Sequence, residues 1–193
     1  MGRALALLLF LLPALAQTSV TCDATEVRFD FSDPGPLTFL NGYPVASLAG
    51  YLHLLDLGSA LSFLPTQVVG ERGQAVSCQV RTRNKGKRGT VCGAGNTYCL
   101  RLSGVSGSLP LPLTAPDRLL VQVQVVSGTL AVNHAPTPTP IGNLPDNGGL
   151  ASVGPNSTVS LALWLYLRLD PGDAFPTLPT GGSLSLTYVL EGD

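Results

Sequence analysis

A strictly alternating stretch, TVSLALWLYLRL at 158–169, constrains the fold of this chain more than any other feature. Every second position carries an aliphatic side chain, namely Val159, Leu161, Leu163, Leu165, Leu167 and Leu169. The positions between them carry small, polar or aromatic side chains, namely Ser160, Ala162, Trp164, Tyr166 and Arg168. Because successive side chains of a β-strand point to opposite faces, the pattern predicts a long strand with one face in an apolar core.

Further segments with the same period predict more strands: EVRFDF at 26–31, AVSCQVRTR at 75–83, YCLRL at 98–102, RLLVQVQVV at 118–126 and SLSLTYVL at 183–190. Clusters of Gly, Pro, Asn and Asp separate these segments, as expected for turns. One apolar and one polar face per strand is typical of antiparallel sheets that pack face to face. The predicted fold is therefore all-β, with residues 17–193 forming a single antiparallel β-sandwich of about seven to nine strands.

The closing strand has two distinct faces. We expect Leu184, Leu186, Tyr188 and Leu190 to face the core, and Ser183, Ser185 and Thr187 to face solvent or a partner. The link DPGDAFPTLPTGG at 170–182 is short enough to return the chain antiparallel. We therefore expect this strand to pair with the strand at 158–169.

Two segments lack a clear pattern. In 44–69, Leu48, Leu52 and Leu55 fit a helical face whereas Leu52 and Leu54 fit a strand, so we expect one or two short strands, with a short helix as the alternative. Residues 133–157 are rich in Pro, Gly and Asn, which is typical of a linker between domains or of a long surface loop. Only two strands follow this segment, too few for a second domain, and this favours the loop.

The first sixteen residues, MGRALALLLFLLPALA, have the form of a secretory signal peptide. Arg3 precedes a short apolar run that ends in Ala14-Leu15-Ala16, and the run falls short of the roughly 20 residues that a membrane-spanning helix needs. We expect cleavage after residue 16, a secreted chain in the periplasm, at the cell surface or outside the cell, and no later transmembrane segment. The formal net charge of −1 indicates no nucleic-acid partner.

Four cysteines follow the leader: Cys22, Cys78, Cys92 and Cys99. In an oxidising compartment an even count predicts two disulfides, although four cysteines allow three connectivities. The turn-rich GAGNTY between Cys92 and Cys99 favours a local bridge, which leaves Cys22 with Cys78. A zinc site is the competing interpretation, but there is no Cys-x-x-Cys pair, so we expect no metal and no other cofactor.

No catalytic constellation is visible in the sequence. His53 lies in a leucine-rich run and His134 opens the Pro-Thr segment, so neither is placed beside a predicted nucleophile. Asp170 and Asp173 could form a carboxylate pair for acid-base work or calcium, but Asp-Pro-Gly-Asp is also a strong turn signature. We therefore predict a turn and no enzyme activity.

Two surfaces are candidates for contact with a partner or ligand. The basic cluster RTRNKGKR contains Arg81, Arg83, Lys85, Lys87 and Arg88, which predicts either a solvated hairpin tip or attachment to an acidic surface polymer. If the leucine face of 158–169 is the core, Trp164 and Tyr166 point outward. This aromatic pair could bind a sugar or be covered by another subunit.

Several of these features resemble a known family. Cys22 closely follows the leader and precedes an alternating strand with Phe29 and Phe31, and Cys78 lies in a later strand. The ending WLYLRLDPGDAFPTLPTGGSLSLTYVL combines a strand, two turns and a final Tyr-bearing strand. Together they resemble the secreted pilin-like family that includes spore coat protein U domains and archaic chaperone-usher fimbrial subunits. The resemblance implies an Ig-like or pilin-like sandwich.

The chain also departs from that family. Subunits that polymerise carry an alternating N-terminal extension before the first cysteine, whereas only QTSVT lies between the predicted leader and Cys22. The resemblance therefore implies a minor, tip or stand-alone subunit. Cys92, Cys99 and the 133–157 segment lie outside the family pattern.

The functional expectation is a secreted structural or adhesive cell-surface component that contacts other surface or coat subunits. A carbohydrate- or ligand-binding module is the alternative, using Trp164 and Tyr166 or the 133–157 segment. A hydrolase would require a cleft that brings a histidine or two carboxylates together, which the sequence does not indicate.

Overall fold

The computed structural model describes residues 17–30, 37–38, 44–45, 53–54, 56–58, 61–63, 67–68, 73–83, 92, 97–109, 115, 117–171 and 181–192. These residues form the strands β1 (Ser19–Cys22), β2 (Glu26–Asp30), β3 (Leu37–Thr38), β4 (Pro44–Val45), β5 (Leu61–Phe63), β6 (Gln67–Val68), β7 (Val76–Arg81), β8 (Tyr98–Gly107), β9 (Leu119–Ser127), β10 (Val132–Asn133), β11 (Thr139–Pro140), β12 (Gly149–Val153), β13 (Thr158–Leu169) and β14 (Gly181–Glu191). Two short 3-10 helices, Ile141–Asn143 and Pro145–Asn147, lie between β11 and β12.

The strands form two antiparallel sheets. The first sheet follows the order β1-β7-β13-β5-β3-β4, and β9 pairs along the other edge of β13, with β11 beside β9. The second sheet follows the order β10-β12-β8-β14-β2-β6. The prediction of an all-β antiparallel sandwich is confirmed, although the described strands outnumber the seven to nine that were expected. The additional strands are short ones that have no detectable period in the sequence.

The core lies between the two sheets and is made by the faces that alternation predicts. The six aliphatic side chains of β13 are at most 3% exposed, and Val27 and Phe29 of β2 are fully buried. In β7 the pattern alternates strictly, with Val76, Cys78 and Val80 buried between exposed positions. Burying a side chain of this size contributes roughly 1.5 to 3 kcal/mol to stability. This gain favours the arrangement in which the aliphatic faces of these strands turn inward.

The predicted pairing of the closing strand is wrong. β14 pairs with β8 on one side and with β2 on the other, and it lies in the opposite sheet from β13. Its faces largely follow the prediction: Leu184 and Leu186 are buried, Tyr188 and Leu190 are half-buried against the core, and Ser185 and Thr187 are exposed, whereas Ser183 is half-buried. The leucine faces of β13 and β14 belong to the same hydrophobic core, to which the two strands contribute from opposite sheets.

The segment at 133–157 is not a surface loop throughout. It contains β12, which is buried at all five positions and pairs with β8 and β10. A strand that is covered on both faces shows no alternation, and this is why no period marks it in the sequence.

The segment at 44–69 contains both kinds of element that were considered. Its described parts include the short strands β4, β5 and β6 and a helical turn at His53, Leu54 and Asp56. In that turn the Leu57 amide donates to the His53 carbonyl at 3.1 Å. The predicted leader and Phe31 lie outside the described residues.

Candidate functional site

The four cysteines form the two disulfides that the sequence favours. Cys22 is bonded to Cys78 and Cys92 to Cys99, and no cysteine is free. The first bond ties β1, at the edge of the first sheet, to β7. The second bond ties Cys92 to β8, next to buried β12.

The structure brings one histidine to a serine that sequence reasoning missed. The ring Nε2 of His134 lies 2.9 Å from the hydroxyl of Ser152, and Ser152 is only 2% exposed. The Ser152 hydroxyl donates its proton to the Cys92 carbonyl at 2.7 Å. Because a hydroxyl has only one proton, Nε2 must be the donor to Ser152 rather than a base that accepts from it. This pair therefore positions the Cys92 segment and is not arranged as a nucleophile with its base.

The other predicted site residues do not converge into a catalytic arrangement in the described part of the chain. His53 is exposed in its helical turn. Asp170 accepts from Arg168 Nε at 2.6 Å and from Arg118 Nη1 at 2.7 Å, so its carboxylate is occupied by two guanidinium groups. Asp173 lies outside the described residues, and within them no three His, Cys, Asp or Glu side chains are grouped to hold a metal ion.

The outward face of β13 carries an ordered aromatic pair, as the alternation predicts. The Trp164 indole N–H donates to Gln124 Oε1 at 3.2 Å, and the Tyr166 hydroxyl donates to Gln122 Oε1 at 2.9 Å. Gln122 Nε2 in turn donates to the Pro136 carbonyl at 3.0 Å. Burial raises the pKa of Tyr166, so this phenol remains a hydrogen-bond donor in neutral solution. We call Gln122, Gln124, Trp164 and Tyr166 the aromatic face.

The basic cluster is only partly described. Arg81 is exposed at the end of β7, and Arg83 donates from Nε to the Thr18 hydroxyl at 2.9 Å. Lys85, Lys87 and Arg88 lie outside the described residues. In the register of the first sheet, Arg81 lies opposite both Ser19 of β1 and Thr158 of β13. Its strand position therefore places it on the same outward face as the aromatic pair.

A groove separates β1 of the first sheet from β14 of the second sheet. Its volume is about 530 Å³, and it is lined by Val20, Thr21, Cys22, Thr25, Leu186, Thr187 and Tyr188. We call this feature the edge groove. It contains both apolar and hydroxyl-bearing side chains and is open to solvent.

The β1 edge of the groove has backbone groups without a strand partner. The Asp23 amide donates to the Ser77 carbonyl, which makes Asp23 and Ser77 a hydrogen-bonded pair of the β1–β7 ladder. Hydrogen-bonded and non-bonded pairs alternate along an antiparallel ladder, so the backbone N–H and C=O of Val20 and Cys22 point away from β7. Within the described residues no strand pairs with β1 on that side.

The β14 edge of the groove is similar. β2 pairs with β14 only as far as Ser185, and the Leu186 amide donates to the Thr25 carbonyl at 2.8 Å. By the same alternation, the backbone groups of Tyr188 and Leu190 point away from β8. In the part of the chain that the structure describes, no strand covers this stretch of the edge.

Tyr188 lies in the wall of the edge groove, and its buried hydroxyl has no hydrogen-bond partner among the residues that the structure describes. Burial, reinforced by the negative charge of Asp23, raises the pKa of the Tyr188 phenol well above its ordinary value. The hydroxyl is thus neutral at physiological pH and remains a hydrogen-bond donor. Sequence reasoning assigned Tyr188 to the core and did not identify the groove, because the groove depends on which strands are neighbours.

The described residues include no helix with the length and apolar character needed to cross a membrane. Comparison of the chain with protein-family models, with curated proteins and with solved structures finds no match.

Proposed function

We propose that this chain is a secreted structural or adhesive component of the cell surface, and that it joins other surface or coat subunits through the edge groove. The observation that carries the proposal is the pair of uncovered strand edges, on β1 and β14, that flank one groove. Such edges can accept an extended segment from a neighbouring chain.

Secretion is supported by the leader-like residues 1–16 and by the two disulfides. Disulfides persist in oxidising compartments and are rare in the cytosol. Cross-linked strands also suit a protein that must keep its fold outside the cell, without chaperones to refold it.

Assembly is supported by the chemistry of the two edges. An uncovered strand edge offers a row of backbone donors and acceptors to any extended segment that reaches it. Proteins often protect such edges with proline or lysine, and neither residue occurs in SVTC of β1 or in TYVLE at the uncovered end of β14. The groove walls add apolar contacts from Val20 and Leu186. We expect the occupant to be an extended segment of another surface subunit with apolar side chains at alternate positions.

The experiment compares Val20→Pro with Val20→Ala in cells that express the full chain with its own leader. The Val20 amide points into the edge groove, so proline removes one donor from that edge without breaking the ladder to β7, and edge strands tolerate proline in this position. Alanine shortens the side chain but keeps the amide. Both purified proteins should show the unfolding transition of the parent protein.

We expect the parent protein and Val20→Ala to be recovered from the outer surface of intact cells in large complexes, as judged by impermeant biotin labelling and sedimentation. Val20→Pro should be exported and folded but recovered as a free monomer. Complexes of unchanged size with Val20→Pro would rule out the groove, and a chain that stays inside the cell would rule out the surface role.

A further inference from the structure

We infer that the aromatic face, extended along β13 to Arg81, is a binding surface for an acidic polysaccharide. This inference goes beyond the subunit role, because it concerns the outward face of the first sheet and not the edge groove. It depends on the hydrogen bonds that hold the aromatic side chains in place, on the residues beside them and on the distribution of charge over this face.

The aromatic rings are held in place before any ligand arrives. Trp164 and Tyr166 lie two residues apart on the outward face of β13, and each is hydrogen-bonded at its polar edge to a glutamine of β9. Gln122 is itself fixed by the Pro136 carbonyl. Side chains that are already ordered lose less conformational entropy on binding, so such a surface can bind a flat ring with little reorganisation.

Trp164 is half-buried, and its short neighbours leave part of the indole exposed. Ala162 lies next to Trp164 along the outward face of β13, and Ser77 is its partner on β7. Both side chains are too short to cover an indole ring. The face of a pyranose ring presents C–H groups, whose partial positive charge is attracted to the electron-rich face of an aromatic ring. The surface beside Trp164 is therefore suited to stack one sugar.

On β7 and β13 most of the other outward side chains are polar and can bind hydroxyl groups, whereas on β9 the partner of Tyr166 is the buried Leu120. On β7 and β13 these positions include Ser77, Gln79, Thr158 and Ser160. A protein interface would instead be expected to have an apolar centre with few such groups. Hydroxyl and amide side chains around a stacking ring favour a carbohydrate over a protein.

The charge on this face is positive. The outward positions of β1, β7, β9 and β13 include no Asp or Glu, whereas they include Arg81 and Arg168. Arg168 is paired with Asp170 at 2.6 Å, so the cation available to a ligand is the exposed Arg81. Guanidinium groups bind carboxylates strongly because two N–H donors match two oxygens.

The spacing of these groups indicates a polymer. Arg81 lies opposite Thr158, which is six positions along β13 from Trp164. At about 3.3 Å per residue, this places the cation roughly 20 Å from the aromatic pair. A single sugar cannot reach both, whereas an extended chain of uronic acids can stack at Trp164 and place a carboxylate at Arg81.

The test exploits the fact that Trp164 is the only tryptophan in the chain. Its fluorescence reports on this face alone, so the purified mature protein can be titrated with polygalacturonate, with neutral dextran as the comparator and with an oligothymidylate as a second polyanion. We expect a saturable change in fluorescence with polygalacturonate only. The titration uses the monomer, so its outcome does not depend on assembly through the edge groove.

Single substitutions then separate the contribution of ring stacking to binding from the contribution of charge. In affinity electrophoresis, Trp164→Ala should weaken polygalacturonate binding by about tenfold, whereas Trp164→Phe should retain most of it. Arg81→Gln should weaken binding several-fold. Rising salt should lower the affinity of the parent protein for polygalacturonate toward that of this variant. Arg28→Gln is the matched control, because it changes net charge equally but lies on β2 of the other sheet.

Several results would overturn the inference. These are no fluorescence change with polygalacturonate, equal binding of dextran or oligothymidylate, and unchanged binding by Trp164→Ala. An equal loss in Arg81→Gln and Arg28→Gln would show that net charge, and not this face, attracts the polymer. Each variant must show the parent unfolding transition, so that a folding defect is not read as a loss of binding.

Discussion

Cys22 and Cys78 lie directly opposite each other at a non-hydrogen-bonded position of the β1–β7 ladder, with 4.1 Å between their Cα atoms. Such positions bring paired residues closest together in an antiparallel sheet, at a Cα separation of about 4.5 Å. The bond joins β1, which among the described strands pairs with β7 alone, to a strand inside the sheet. It therefore stabilises both the fold and the wall of the edge groove.

Removing this bond should have a large effect on stability. The Cys22 and Cys78 positions are 56 residues apart, and in the chain-entropy model the double alanine variant should lose about 4 kcal/mol of unfolding free energy. The double alanine variant of Cys92 and Cys99, which are 7 residues apart, should lose about 2 to 3 kcal/mol. Urea unfolding of both variants measures the difference, and a greater loss from the shorter loop would contradict the prediction.

The two faces of β14 should respond differently to charge. Leu186 is buried at 3% exposure, so Leu186→Asp places a carboxylate in the core and should lower the unfolding free energy by at least about 3 kcal/mol. Ser185 is exposed and lies opposite Glu26, so Ser185→Lys should change stability by less than about 0.5 kcal/mol. Thermal unfolding of the two variants is the measurement. Equal tolerance at both positions would show that Leu186 is not in the core.

Tyr188→Phe should stabilise the protein. The variant removes a buried hydroxyl that has no partner within the described part of the chain, and it should raise the unfolding free energy by about 1 kcal/mol at pH 7. The matched variant Tyr166→Phe removes a hydroxyl that donates to Gln122, so it should lower stability by a similar amount. Urea unfolding at neutral pH compares them, and a loss of stability in Tyr188→Phe would mean that its hydroxyl has a partner.

Tyr188 should also make stability depend on alkaline pH. The pKa of Tyr188 in the folded chain is raised above the ordinary value of 10.0. Well below pH 10 the phenol is neutral in both the folded and the unfolded chain, so it contributes no pH dependence there. As the pH rises above about 10, the unfolded phenol ionises first, and the unfolding free energy falls. Tyr188→Phe should make this decline shallower in unfolding measurements between pH 9 and about 11. An unchanged slope would contradict the raised pKa.

Asp170 should stabilise the end of β13 through its two arginines. Asp170→Asn weakens the ion pair with Arg118, whose side chain is only 13% exposed, and should cost about 2 kcal/mol. Asp117→Asn is the control, because that carboxylate is 66% exposed and lies 3.7 Å from Arg118. Exposed pairs of this kind contribute little, so the control should cost less than about 0.5 kcal/mol. Similar losses in chemical denaturation would show that the Arg118–Asp170 contact is not the stronger one.

Local pattern was sufficient to predict the strands and their inward faces. Alternation identified the buried side of β13 and the outward position of Trp164 and Tyr166. Side chains at odd and even positions of a strand point to opposite faces, so their direction can be read from the sequence alone. The cysteine spacing likewise predicted a local bridge from Cys92 to Cys99. Each of these inferences depends on residues that are close in the sequence.

The neighbour of each strand was decided by tertiary structure. β13 and β14 both have leucine faces, and that pattern is satisfied equally by pairing in one sheet or by packing across the core. The chain adopts the second arrangement, in which β14 pairs with β8 and β2. β12 was missed for a related reason: burial on both faces removes the period that would reveal it.

The candidate surfaces also combine features that the sequence predicts with features that only the fold creates. The sequence by itself determined that Trp164 and Tyr166 face outward, and its even number of cysteines predicted two bridges. Only the tertiary structure placed Gln122 and Gln124 beside the aromatic rings, since these partners lie 40 and 44 positions away and depend on the register of β9 against β13. The edge groove between β1 and β14 also required the fold, because an uncovered edge is defined by the absence of a neighbouring strand in space, and a period in the sequence carries no information about neighbours.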